Sequence, residues 1–202
     1  MGGNEKYLSA DERRAVIIDV VIKLAAERNP HGITTAAIAE RMGLTQGALF
    51  RHFPNKAALL EAVMTWTADA LLARLDAAIG DLSSPVAALR AMFLTHADFV
   101  AEHPGVPRLL FGELQQIENT AAKEVVKALL GRYRDRLHCL IEAGKALGEI
   151  DDTLDTGAAA TLFTGTLQGL VVQSLLSGDG QRIRGDAARV FALYHRAIGR
   201  RS

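Results

Sequence analysis

The sequence predicts an all-α protein of about nine helices. Its 202 residues are 49% hydrophobic, rich in Leu and Ala, and include only five prolines, a composition that favours helices. Apolar residues recur at helical spacing in successive segments, and no strand-like alternation or internal repeat accompanies them. Most of these segments begin at a capping residue and end at Gly or Pro, as helices do.

The N-terminal part contains four helices, each with its own start signal. Glu12 follows Ser9 by three residues, which predicts a capping box. The first helix then runs to a break at residues 29–32, and the next three span about 36–42, 46–52 and 56–79. The predicted N-caps of these four helices are, in order, Ser9, Thr34 or Thr35, Thr45 and Asn55.

Five further helices follow a linker at residues 80–83. Ser84-Pro85 places a cap before Pro at the first helical position, and this helix ends near His103. After a break at residues 104–107 we expect a short helix over about 108–117. The last three are expected over about 120–146, 154–176 and 183–199, the first of them capped by Asn119 or Thr120 and the second by Thr153.

Residues 32–56 form a helix-turn-helix pattern, in which Gly43 supplies the tight turn. Leu44 fills the gap between the two short helices, and four apolar residues hold them at a fixed angle: Ile38, Met42, Leu49 and Phe53. The remaining positions face outward, where the start of a recognition helix meets base edges. The residues facing outward are Thr45, Gln46, Gly47, Ala48, Arg51 and His52.

These outward residues have the chemistry for both bases and phosphates. Gln46 can bond adenine in a bidentate way, and Arg51 can do so with guanine or bind a phosphate. Gly47 and Ala48 let the backbone approach the groove. Thr34 or Thr35, His52 and Lys56 suit phosphates, because hydroxyls, free N–H groups and a cation lie at helix ends. Two capped helices joined at a glycine also occur in proteins that bind no nucleic acid.

Charge and cysteine content set broad limits. The formal net charge is zero, but the first 56 residues carry eight Lys/Arg and six Asp/Glu, which favours a DNA module at that end. Cys139 is the only cysteine, which favours a reducing cytoplasm. We also expect its thiol to be buried. No signal-peptide core, membrane-length apolar run, metal cluster or catalytic motif is evident. We therefore expect no cofactor, no metal, no catalytic residue and no membrane partner.

Residues from about Glu12 to Val63 resemble the N-terminal domain of the TetR family of bacterial transcriptional regulators. The resemblance rests on residues 32–35, 38–39, 43–45, 47–50, 52–53, 55–56 and 59–60. It implies that Thr35 and Lys56 bind phosphates, that Gln46, Gly47 and Ala48 face the major groove, and that Leu49 and Phe53 are core. It also implies a helix-turn-helix domain over 9–56 and an effector-binding and dimerisation domain over 57–202.

Phe50 departs from the family pattern, which usually has tyrosine there. The phenylalanine keeps the ring, which is still a predicted DNA contact, but it lacks the hydroxyl that reaches a phosphate. We hypothesise that the adjacent Arg51 compensates. In that case Arg51→Ala should flatten the salt dependence of operator binding, and an unchanged slope would reject the hypothesis.

The last two helices carry an apolar surface that also includes Gly165 and Gly169. The family dimerises through these helices, so the resemblance implies a homodimer interface, which would place two recognition helices about 34 Å apart. The alternative is that this surface belongs to the core of one chain. The predicted interface residues are Leu162, Thr166, Gly169, Leu170, Val190, Leu193 and Tyr194.

Between the linker and the dimerisation helices lies the predicted effector site, a mostly apolar pocket. Its candidate residues are Phe93, His96, Phe99, Val100, Leu110, Phe111, Leu114, Tyr133 and Leu137. The alternative is that they fill a core without a cavity. The proline-flanked segment 104–117 is predicted to be the least anchored and to move when ligand binds.

The sequence thus predicts a cytoplasmic, homodimeric DNA-binding regulator rather than an enzyme. We expect a repressor that a small, mostly apolar effector releases from its operator. The alternative is a helical small-molecule-binding protein or enzyme whose N-terminus only has a helix-turn-helix shape.

Overall fold

The computed structural model describes residues 9–29 and 32–200, which form nine α-helices and no β-strand, as predicted. Pro30 and His31, within the predicted break, lie outside the described residues, as does the N-terminal stretch in which a signal peptide would lie. The helices are α1 (Ala10–Glu27), α2 (Thr35–Arg41), α3 (Gln46–Phe50), α4 (Lys56–Ile79), α5 (Pro85–Glu102), α6 (Gly105–Leu114), α7 (Ala121–Ala146), α8 (Thr156–Ser177) and α9 (Arg182–Ile198).

Side-chain caps form at most of the predicted helix starts. The Ser9 hydroxyl accepts a hydrogen bond from the Glu12 N–H, and the Glu12 carboxylate accepts one from the Ser9 N–H. Of the alternatives left open by the sequence, Thr34 caps α2 and Thr120 caps α7. These caps need only residues three positions apart, which is why the sequence alone reveals them.

Two helix starts differ from the prediction. Helix α6 begins at Gly105 rather than near 108, because Pro107 lies in its first turn, where a missing N–H costs nothing. Helix α8 is capped by Asp155 rather than Thr153. Thr153 instead donates its N–H to the Asp151 carboxylate, 2.9 Å away, in the preceding turn.

The chain divides into two compact units. Unit 1 contains the described residues up to Thr67 together with Gly105–Val125, and unit 2 contains Ala68–Pro104 with the described residues from Val126 onward. Helices α4 and α7 contribute residues to both. The expected division at residue 56 is one of function and remains a prediction.

In unit 1, α6 packs closely on α1. A Cβ atom added at Gly105 would lie 1.9 Å from the carbonyl oxygen of Ile22, so only glycine allows this approach. Val106 and Leu109 are buried beside it. Segment 104–117 was predicted to be the least anchored, but its α6 part is well packed, because residues before Pro107 continue the helix onto α1.

Unit 2 has an aromatic core. The ring of Phe93 on α5 contacts Phe163 of α8 edge-on at 5.1 Å and Phe191 of α9 at 5.6 Å between centroids. All three rings are at most 2% exposed. The Glu149 carboxylate accepts hydrogen bonds from the Ser84 hydroxyl and the Val86 N–H, which fixes the start of α5.

Two surface features correct the sequence-based expectations. Cys139 is exposed on α7, although a buried thiol was expected. Among the described residues, α8 is long and apolar enough to cross a membrane, with a mean hydropathy of 1.3, although no such segment was expected. Glycine, alanine and threonine dilute its leucines and valines, so it lacks an unbroken apolar run. A single helix of this kind is weak evidence of a membrane span.

Candidate nucleic-acid interface

Helix α3 presents its N-terminal half to solvent. Thr45 caps it, with its hydroxyl accepting the Ala48 N–H at 3.2 Å. Leu49 and Phe53 are 1% and 2% exposed and fix the inner face. Gln46 and Gly47 are exposed and Ala48 is half-buried. The small side chains at 47 and 48 leave space beside Gln46 for the edges of base pairs.

A tight turn sets the angle between α2 and α3. Gly43 has a φ of 64°, which only glycine adopts without strain. The Leu44 N–H donates to the carbonyl oxygen of Ala39 at 2.8 Å, closing the end of α2. Of the predicted buried set, Ile38, Leu49 and Phe53 are buried, whereas Met42 is half-buried.

Helix starts flank α3 with groups suited to phosphate. Thr34 is exposed, and its hydroxyl oxygen accepts the Ala37 N–H at 3.1 Å. Thr35, at the first position of α2, is half-buried. Lys56 is exposed at the first position of α4, where unpaired backbone N–H groups favour an anion.

The far end of α3 carries the remaining predicted contacts. Phe50 is 41% exposed, so its ring is not a core residue. Arg51 is exposed and His52 is half-buried in the turn that follows the helix. The structure therefore places all ten predicted DNA-contacting residues in unit 1, and their roles remain predictions.

Arg14 of α1 also belongs to this region, although the sequence did not single it out. Its Nη1 donates to the carbonyl oxygen of His52 at 2.9 Å, and its guanidinium lies over the Phe53 ring. One signal could have found it: Arg14 precedes the buried Ile17 and Val21 by three and seven positions. A charge on the apolar face of a helix needs a partner.

A cavity of about 70 Å³ lies beside Lys56 in unit 1. Glu113, which is 8% exposed, contributes to its wall, and the Thr120 hydroxyl donates to this carboxylate at 3.1 Å. Pockets for drug-sized ligands start at about 300 Å³. The cavity is therefore too small for such an effector. Glu113, a candidate polar anchor of the predicted effector pocket, lines it, but none of the nine candidate residues named above does.

The predicted effector residues fall into both units. Leu110, Phe111 and Leu114 belong to unit 1, and Leu114 is 49% exposed. The other six belong to unit 2, where all except His96 are buried. Those six are Phe93, His96, Phe99, Val100, Tyr133 and Leu137. The structure brings Phe93 into the aromatic core, and the effector role of this set remains a prediction.

His96 and Tyr133 form a polar pair within unit 2. The His96 Nδ1 and the Tyr133 hydroxyl oxygen are 3.2 Å apart. Desolvation lowers the pKa of His96 to about 4, so the imidazole is neutral at pH 7. Burial raises the pKa of Tyr133, so its hydroxyl keeps the proton and can donate it to Nδ1. The pair can offer a ligand hydrogen bonds without a charge.

The surface of α8 and α9 leaves large apolar side chains uncovered. Leu162 is 50% and Leu193 57% exposed. A Cβ at Gly165 or Gly169 would have no neighbour within 4 Å, so no described residue of the chain packs closely against these glycines. Thr166, Leu170 and Val190 are half-buried, and Gly169 is exposed.

Tyr194 differs from the other predicted interface residues. It is 4% exposed, and its hydroxyl donates to the carbonyl oxygen of Ala159 at 3.1 Å. Its ring also contacts Phe163 edge-on. Tyr194 therefore belongs to the interior of its own chain.

Comparison with known proteins identifies the class. A family model described as bacterial regulatory proteins, tetR family, matches residues 17–63, and a tetracyclin repressor-like C-terminal domain matches residues 82–172. The exposed α3 and these two matches define the class as a DNA-binding bacterial regulatory protein. The chain belongs to the TetR family.

Solved structures share the fold over nearly the whole chain. The ketosteroid regulator KstR2 of Mycobacterium tuberculosis has a TM-score of 0.79 at 18% identity, with 94% of this chain and 96% of that one covered. FadR of Bacillus subtilis, in complex with stearoyl-CoA, has a TM-score of 0.77 at 21% identity, covering 90% and 97%.

Curated relatives include the nucleoid occlusion factor SlmA. The protein from Shewanella amazonensis is 26% identical over 84% of this chain and 86% of its own length. The one from Haemophilus ducreyi is 31% identical over 57% of each chain.

Proposed function

We propose that this protein is a cytoplasmic, homodimeric repressor that a small, mostly apolar effector releases from its operator. The single observation that carries the DNA part of the proposal is the exposed start of α3 between Thr34 and Lys56. Along the chain, Gln46, which suits base edges, lies between Thr34 and Lys56, which suit phosphate.

In the proposed complex, Gln46 contacts base edges while Gly47 and Ala48 let the helix lie deep in the major groove. Thr34, Thr35, His52 and Lys56 bind phosphates and set the register. Arg51 binds a phosphate or guanine. Phe50 offers only ring contact, because it has no hydroxyl.

The dimer is proposed to form through the uncovered faces of α8 and α9. Burial of Leu162 and Leu193 against a second copy would remove large apolar side chains from water. The open space at Gly165 and Gly169 would then admit a partner helix. This arrangement also accounts for the apolar character of α8 without a membrane.

The effector is proposed to bind within unit 2, near His96 and Tyr133. The neutral pair supplies hydrogen-bonding groups, and the surrounding side chains are apolar. The similarity to a FadR solved with stearoyl-CoA supports an apolar effector. We propose that the protein is a regulator and not an enzyme.

The effector signal is proposed to reach unit 1 along the chain. Helix α4 has residues in both units, and α5 ends only three residues before α6, which packs on α1. The DNA-bound and released states are proposed to be in equilibrium. A ligand shifts that equilibrium only by the difference in its affinity for the two states.

The proposal is tested by identifying the genomic DNA fragments that the purified protein binds. Purified protein is mixed with sheared genomic DNA, and the bound fragments are sequenced. A few promoter fragments, released by stearoyl-CoA or by a ketosteroid, would support a ligand-controlled repressor. Promoter binding that neither compound alters would limit the proposal to DNA binding and exclude these two effectors.

A second candidate function is nucleoid occlusion, because SlmA proteins match most of this chain in sequence. The same experiment separates the two functions. Bound fragments spread over the chromosome and away from promoters would favour nucleoid occlusion.

A further inference from the structure

The C-terminal end of the recognition helix is held by a residue of another helix. Arg14, in the second turn of α1, donates its Nη1 to the carbonyl oxygen of His52 at 2.9 Å. Its guanidinium carbon lies 4.5 Å from the centroid of the Phe53 ring. A single side chain thus contacts two of the three residues that connect α3 to Pro54.

Helix α3 needs this external support because it is only five residues long. Isolated helices of that length are unstable, so tertiary contacts must set its orientation. Leu49 of α3 and Phe53, just after its end, are buried and fix how close α3 lies to the rest of unit 1. Apolar contacts are not directional, whereas a hydrogen bond to a carbonyl oxygen is. The bond from Arg14 therefore restrains rotation of α3 about those two anchors.

The carbonyl oxygen of His52, which accepts this bond, belongs to the turn between α3 and Pro54. His52 is one of the predicted DNA contacts, and its own N–H donates to the carbonyl oxygen of Leu49 at 3.0 Å. Pro54, two residues on, has no N–H to continue the helical pattern. Without Arg14, this turn loses its hydrogen bond from the Arg14 side chain of α1.

We propose that Arg14 is a positioning residue that sets the angle at which α3 meets DNA. It thereby raises the preference for operator over unrelated DNA without binding a phosphate itself. This inference rests on the proposed function of α3 as the recognition helix. Base contacts need sub-ångström placement, whereas phosphate contacts tolerate small rotations, so specific binding should suffer more than non-specific binding.

The alternative for an exposed arginine in this unit is a phosphate contact. Salt dependence separates the two roles. Removal of one phosphate-binding cation lowers the slope of log K against log salt concentration by about 0.9. Removal of a positioning residue leaves that slope unchanged while affinity for the specific site falls.

The experiment compares Arg14→Ala, Arg14→Gln and Arg14→Lys with the wild-type protein, and uses Arg13→Ala as the control because it removes the same charge from the same helix. Affinity for a selected operator and for an unrelated duplex is measured by fluorescence anisotropy at four salt concentrations. We expect Arg14→Ala to bind operator about tenfold more weakly, with unrelated DNA unchanged within about twofold. Arg14→Gln, which keeps an uncharged donor, should recover part of the loss, and Arg13→Ala should match the wild type.

Several results would overturn the inference. A slope lowered by about 0.9 in Arg14→Ala and Arg14→Gln, with Arg14→Lys like the wild type, would make Arg14 a phosphate contact. Equal losses of affinity for operator and for unrelated DNA, together with a lower Tm, would show that Arg14 only stabilises the fold. Unchanged operator affinity would also reject it. Failure of the wild type to prefer any DNA would instead reject the proposed function, and this inference with it.

Discussion

Replacement of Gly105 by alanine tests the contact between α6 and α1. The new Cβ would lie 1.9 Å from the carbonyl oxygen of Ile22 and 2.9 Å from the backbone nitrogen of Ala26. Both are backbone atoms within α1, so no side-chain rotation relieves the overlap. Gly105 does not have a positive φ, so alanine is acceptable to the local backbone and the effect comes from space alone.

The expected cost follows from the displacement of α6. To restore normal contact distances, α6 must move away from α1 by more than 1 Å (a shift on the order of those that overpacking forces in cores). Such strain costs about 1–3 kcal/mol, and partial exposure of the buried Val106 and Leu109 adds to it. A net loss of about 3 kcal/mol in unfolding free energy corresponds to a Tm lower by roughly 6–12 °C for a protein of this size.

Differential scanning calorimetry and urea unfolding measure this change. Gly131→Ala in α7 is the matched control, because a Cβ there has no neighbour within 4 Å. That variant should gain up to about 1 kcal/mol from helix propensity. The two Gly→Ala changes are thus expected to have opposite signs. A Gly105→Ala protein as stable as the wild type would refute the close packing of α6 on α1.

Three further changes test other parts of the account. Phe50→Tyr should strengthen operator binding by about three- to tenfold, because it adds a hydroxyl on a 41% exposed ring; unchanged anisotropy titrations would contradict this. Leu193→Glu should give monomers in sedimentation velocity with little loss of helix content, since the side chain is 57% exposed in one chain; an intact dimer would argue against this interface. The pKa of His96 is about 4 in the folded state against an ordinary value of 6.5, so the unfolded state binds more protons between those values. Unfolding free energy should therefore fall as pH drops from 6.5 to 4, by up to about 3 kcal/mol, and His96→Leu should remove that part of the dependence in urea titrations.

Local signals explain why most helix starts were predictable. Ser9, Thr34, Thr45 and Ser84 cap their helices through hydrogen bonds that span three residues, so the sequence contains both partners of each bond. The outward positions of α3 follow from the same short-range pattern, because the buried Leu49 and the turn at Gly43 fix its faces.

Long-range packing explains the rest. The sequence before Pro107 resembles a break, yet packing against α1 makes Gly105 the first residue of α6. Periodicity places Arg14 on the apolar face of α1, but it does not reveal that its partner is His52, 38 positions away. An apolar stripe likewise does not separate a ligand pocket from a core, and Phe93, expected at the effector site, packs against other aromatic rings.

The most direct test is the DNA affinity of the wild-type protein and of a Gln46→Ala, Lys56→Ala double variant, measured from low to physiological salt. DNA upstream of the gene for this protein serves as the probe, with an unrelated duplex for comparison. We expect the wild type to prefer the upstream DNA and its affinity to fall steeply with salt. The double variant should lose the preference and have a slope smaller by about 0.9, as one phosphate contact is removed. A wild-type protein that binds neither duplex at low salt, or a double variant that binds like the wild type, would contradict the assignment of α3 as the recognition helix.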